Sequence, residues 1–190
     1  MMVEPRTVCN RRPVLDGTNG VCRLVVAALV AGMAVGCSKS AKDEVGADTW
    51  QAVAAAEKVE LIRLTYGSDL TSLKPGAPLF GAKPVGKPST PPAAWVEALR
   101  GLLASPDTFE WDAAKGCLPT PGVAVRFTTG GREVELLICY ECGLLAIGPT
   151  PPDSGGPPQR WLDFERARAA FVRLAKEAFP ADKEIQALPD

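Results

Sequence analysis

Cys139 and Cys142 stand three residues apart in "LLICYECGLLAI", residues 136–147, and Cys117 precedes them across "LPTPGVAVRF". Thiols so arranged are open to three chemistries. A structural disulfide is the default for a chain that passes through an oxidising compartment. A thioredoxin-like dithiol opens a helix whose N-terminus stabilises the thiolate. Here the CxxC ends a strand and carries Glu141, whose charge opposes ionisation. A zinc site built on Cys117, Cys139 and Cys142 is the third, but its fourth ligand must be carboxylate or water, with Asp112 and Glu141 nearest. A bond within CxxC closes a very small loop. One from Cys117 to Cys139 or Cys142 closes a loop worth about 3 kcal/mol of chain entropy. The longer bridge is expected, with its partner open between Cys139 and Cys142.

Other catalytic groups are scarce. The 190 residues contain no His, with Lys+Arg 21 against Asp+Glu 22. Without imidazole there is no Ser-His-Asp or Cys-His nucleophile, no His-ligated metal or haem, and no pH switch near neutrality. Glu133, Glu135 and Glu141 resemble paired acids, yet at strand spacing they are expected on a solvated face. Trp50, Trp95, Trp111 and Trp161 are scattered in a way that suits packing better than a ligand groove. The chain therefore reads as non-enzymatic, with no cofactor.

The elements that must position the thiols can be read in register. "GVAVRFT" and "REVELLIC" flank Gly130-Gly131, a pair suited to the positive φ angles of a tight hairpin. Pairing Thr129 with Arg132 sets Phe127 opposite Val134, Val125 opposite Leu136 and Val123 opposite Ile138 on a core face. Arg126 then meets Glu135 and Thr128 meets Glu133 on the other face. One step further, Gly122 faces Cys139. A straight strand would point Cys139 and Cys142 to opposite faces. A turn at Tyr140-Glu141, helped by Gly143, brings them together and returns "LLAIG" as a third strand.

Around this meander, "TWQAVAAAEK" suits a short helix and "VELIRLTYG" a strand. Residues 72–92 are loop-rich, with a short edge strand expected near Leu79 to Val85 because Pro bars a central one. Thr90 and Pro91 open a helix whose Trp95, Leu99, Leu102 and Leu103 share one face, ending at Ser105-Pro106. Asp163 can cap a last helix, 163–178, in which Phe164, Ala167, Phe171, Leu174, Ala175 and Ala178 oppose Arg166, Arg173, Lys176 and Glu177. Residues 148–160 form a Pro/Gly loop. The fold expected is α+β: an antiparallel β-meander of three or more strands packed against two amphipathic helices, in a single domain.

The N-terminus has a different character. Arg6, Arg11, Arg12 and Arg23 precede "LVVAALVAGMAVG", 13 apolar or small residues, too short to span a bilayer and of the length of a signal-peptide core. The following "AVGC", Ala34 to Cys37, resembles the lipobox of bacterial lipoproteins, in which the Cys is acylated and becomes the mature N-terminus. Ala34 stands where that motif commonly has Leu, and Val35 where it has Ala or Ser. The resemblance implies lipidation at Cys37, by palmitate or similar chains, and a membrane partner. Ser38 is not the Asp associated with inner-membrane retention, which implies an outer-membrane anchor facing the periplasm or the surface. Arg11-Arg12 faintly resembles a twin-arginine signal, but Asn10 and Val14 are off that pattern.

Residues 1–36 then form the signal peptide, the small and charged residues 37–49 a flexible tether, and 50–190 one globular domain. Without 1–36, the remaining 154 residues carry 17 basic and 20 acidic side chains, which excludes a strongly basic nucleic-acid binder. From Gly116 to Leu188 the order of Cys117, "PGVAVRF", "LLICYEC" and the last helix resembles exported bacterial proteins of no assigned activity. That likeness assigns no residue a role. The chain is expected to be a lipid-anchored protein of the cell envelope, with an unidentified envelope protein or ligand as its further partner. A thiol-redox or Cys-ligated zinc protein is the alternative.

Overall fold

The computed structural model describes residues 40–65, 82–112, 114–150 and 161–190. The expected signal peptide, Cys37, the 79–81 part of the expected edge strand and most of the expected Pro/Gly loop lie outside the described residues. The fold is α+β, with helices and a six-stranded antiparallel open sheet of order β2-β1-β3-β4-β5-β6. The strands are β1 Lys58–Thr65, β2 Lys83–Ser89, β3 Val123–Thr129, β4 Arg132–Cys139, β5 Leu144–Thr150 and β6 Trp161–Asp163. The helices are α1 Ala41–Val45, α2 Ala47–Ala54, α3 Ala93–Ala104, α4 Arg168–Ala178 and α5 Lys183–Gln186.

The hairpin takes the register that its side chains dictate. Val123 pairs with Ile138, Val125 with Leu136, Phe127 with Val134 and Thr129 with Arg132. Gly130 and Gly131, at φ 52° and 78°, make the turn. β1 adds to β3 with Leu61 opposite Val125 and Val59 opposite Phe127, so the same face continues across three strands. This face meets the helices: Val53, Leu99, Leu103, Phe171, Val172 and Ile185 pack against it in one cluster. Burying each such side chain contributes about 1.5–3 kcal/mol. Trp95 is buried there and donates from Nε1 to the Leu174 carbonyl at 2.8 Å, tying α3 to α4.

The opposite face divides. Near the thiols it is apolar, with Ile62, Leu64, Ala124 and Leu137 buried and Trp161 against them. Towards the hairpin turn it is charged, and Arg126 donates to Glu135 Oε1 at 2.6 Å. Strand spacing places Glu135 on a solvated face, yet it is only 7% exposed. Its cross-strand guanidinium partner permits the burial, because a buried carboxylate is tolerated when it is paired.

Several element boundaries differ from expectation. Helix α3 begins at Ala93, not at Pro91, because Pro92 bars its predecessor from the helical region; the Pro92 carbonyl accepts the first helical N–H groups from Trp95 and Val96. Asp163 belongs to β6 and caps a 3-10 turn, Glu165–Ala167, ahead of α4, so the last helix is a turn shorter than its apolar stripe. The expected tether is helical from Ala41: Ser40 and Asp43 form a capping box and Ala41 is buried against the core. The edge strand β2 lies at 83–89, later than expected, with every residue exposed. Among the described residues no helix is long and apolar enough to cross a membrane.

Candidate functional site

The three thiols meet where β4 turns into β5. β4 ends at Cys139, which pairs with Leu144 at the start of β5, leaving Tyr140 to Gly143 as the connection. The Gly143 N–H donates to the Tyr140 carbonyl, and Gly143 has φ 63°. Cys139, Cys142 and Leu144 pack together as a small apolar cluster with Trp161 against it. Segment 114–121 has no regular structure and runs alongside. Its Thr120 N–H donates to Cys139 Sγ at 3.3 Å, and the next residue but one, Gly122, donates to the Ile138 carbonyl at 3.0 Å.

Cys117 is bonded to Cys142, with Cα atoms 6.1 Å apart, a separation that disulfides commonly span. The structure thus chooses Cys142 over Cys139 as the partner. Cys139 keeps a free, fully buried thiol. The physical reason is visible in the chain path. Thr120 lies over Cys139, and Cys117, three residues earlier, reaches past it to the turn.

Zinc ligation through all three thiols does not fit this arrangement, since two sulfurs are bonded to each other. Among the described residues no three His, Cys, Asp or Glu side chains are grouped to hold a metal. Asp112 and Glu141 are both exposed. Trp50 and Trp111 are half-buried against the main core, in keeping with a packing role.

A charged group beside the disulfide has no counterpart in the sequence reading. Lys115 Nζ donates to the Cys142 carbonyl at 2.9 Å and to Glu165 Oε2 at 2.9 Å, and lies 3.0 Å from Asp163 Oδ1. Burial alone would lower the Lys115 pKa, but hydrogen bonds and Coulombic attraction from Glu165 and Asp163 raise it above its ordinary value. The hydrogen bond to Lys115 in turn lowers that of Glu165. Asp163 is buried; its Oδ1 also accepts from the Glu165 N–H, while Oδ2 has no partner among the described residues. Lys115 has no periodic or motif context in the sequence. Only its position two residues before Cys117 hints that it travels with the bridge.

A second ionic centre fastens the C-terminus. Arg63 donates to Asp182 Oδ2 at 2.7 Å, to Glu184, and to the Leu64 and Gly122 carbonyls. Tyr140 is buried against the core on this side of the sheet, and burial raises its pKa. Neither centre presents a nucleophile paired with a base. The arrangement can hold a loop on a sheet end and can exchange sulfur bonds. Comparisons of the chain with protein-family models, with curated proteins and with solved structures find no match.

Proposed function

We propose that the chain is a lipoprotein of the bacterial cell envelope, acylated at Cys37, whose domain is a non-enzymatic binding or structural module. It is read as an antiparallel meander packed by α3 and α4 and held outside the cytoplasm. The Cys117–Cys142 bond is the observation that carries this reading, because such bonds persist in chains that traverse oxidising compartments and are rare in reducing ones. The order of basic residues, apolar stretch and AVGC supplies the route. The membrane is then the first partner through the acyl chains, in the outer membrane facing the periplasm or the surface, and the exposed parts of the domain would meet an envelope protein or ligand.

Acylation is directly testable. One acyl chain binds a bilayer only marginally, so stable attachment needs the several chains of a lipoprotein. Wild-type protein expressed in a bacterium fed labelled palmitate should incorporate label and remain with membranes after a high-pH wash, whereas Cys37→Ala should do neither. Equal membrane retention of the two, without label in either, would overturn the anchor.

A further inference from the structure

We infer that the Cys117–Cys142 bond exchanges with the buried thiol of Cys139, so that the three sulfurs form a two-position latch in place of a fixed staple. Three observations carry this. Cys139 and Cys142 pack together in one apolar cluster, which brings the free thiol to the end of the sheet that carries the bond. The Thr120 N–H donates to Cys139 Sγ at 3.3 Å and fixes that sulfur beside the segment that carries Cys117. Cys117, the sulfur that would leave, sits on an exposed segment without regular structure and can carry its charge into water.

The step balances without an oxidant or a reductant. Cys139 Sγ attacks Cys142 Sγ and gives up its proton in the step. A Cys139–Cys142 bond forms as the Cys117–Cys142 bond breaks, and the electron pair departs on Cys117 Sγ, which takes a proton from solvent. One disulfide exists before and after. The product holds its bond inside CxxC at the turn and leaves Cys117 as an exposed thiol. Segment 114–121 then stays on the sheet end through Lys115, its backbone bonds and the buried Pro121. In that form Cys117 can attack a protein disulfide in an oxidising compartment, forming a mixed disulfide as that disulfide's S–S bond breaks and its other sulfur leaves as a thiolate that takes a proton from solvent.

The test uses the full chain with Cys9→Ser, Cys22→Ser and Cys37→Ser, isolated without reductant and held at mildly alkaline pH with an alkylating agent. Non-reducing peptide mapping should find Cys117 alkylated and the peptide holding Cys139 and Cys142 short of two hydrogens. Recovery of an intact Cys117–Cys142 bridge, with Cys139 alkylated or untouched, would overturn the latch. So would alkylation at Cys142 with Cys117 joined to Cys139. Adding Cys139→Ser should abolish the Cys117 alkylation. Persistence of that alkylation in the Ser variant would assign the attack to another thiol and equally refute the proposal. If the Ser variant does not fold, the map of the Cys139-containing chain decides alone.

Discussion

At Gly143 two constraints coincide. Its φ of 63° lies in the left-handed region, and a Cβ there would run into Glu165 Oε2 and stand 2.9 Å from Lys115 Nζ. Gly130 shares only the first constraint, with nothing within 4 Å of its would-be Cβ. Gly130→Ala should therefore cost about 1–2 kcal/mol, the conformational term alone. Gly143→Ala should cost more, because the Lys115–Glu165 pair must also move. Denaturant melts of the two variants check this, and a larger loss at Gly130 would show that the ion pair yields freely. Cys117 offers a second measurement at this scale. Its bridge to Cys142 joins residues 25 apart in sequence, a closure worth about 3 kcal/mol. Reduction of the oxidised wild type should lower its melting temperature by roughly 10 °C, down to that of Cys117→Ala, and the variant itself should respond little to reductant.

Among the elements, α4 and the β3–β4 hairpin were the most legible, for different reasons. The hairpin announces itself twice, by alternating apolar residues on one face and the Arg126–Glu135 match on the other, and only one register satisfies both. Helix α4 is legible through its 3.6-residue period: Phe171, Leu174 and Ala175 are buried while Arg173 and Glu177 are exposed. Phe171 lies 4.6 Å from Phe164, ring to ring. Truncating it removes transfer energy and leaves a cavity, so Phe171→Ala should cost about 3–5 kcal/mol. Arg173→Ala should stay within about 0.5 kcal/mol. Equal melting temperatures would show that the wrong face had been buried. The starts of helices were harder to read. A Pro-Pro pair offers two candidate first residues at α3, and α1 is made of residues such as Ala41, Lys42 and Asp43 that suit a solvated segment equally well. What decides α1 is the burial of Ala41 on a distant core, a non-local term.

Over the whole molecule, the ion pairs set the response to pH. Glu165 has its folded pKa lowered by Lys115, so its contribution is present above its ordinary 4.5 and is lost as pH falls through the folded value. Burial alone would raise Asp182, but Arg63 and the Ile185 and Glu184 N–H groups lower it below 3.8, with the same sign. Lys115 behaves oppositely: its contribution is complete below 10.5 and disappears as pH rises through its elevated folded value. Stability should thus be level between roughly 4.5 and 10 and decline on both sides, with the buried Tyr140 phenol adding to the alkaline decline. Lys115→Met should weaken both declines in a set of thermal melts, and identical profiles would remove Lys115 from the explanation. Meeting of the three thiols at one sheet end was legible from strand register. The ionic centres were not, because Lys115, Asp163 and Glu165 come together only through the path of segment 114–121, which carries no periodicity.

Both borders of the sheet are poor templates for another chain. β2 contains Pro84 and Pro88, which have no N–H to offer, and Lys83 and Lys87, whose charges repel a like neighbour. β6 is three residues long. Strand-to-strand polymerisation is a standing hazard for any open sheet, and these borders deny a growing fibre its first rung. Replacing Pro84 and Pro88 with Val should leave the domain folded yet make it self-associate and stain as cross-β on storage. The two prolines would then be guards against self-assembly, posted at the edge farthest from the sulfur bond.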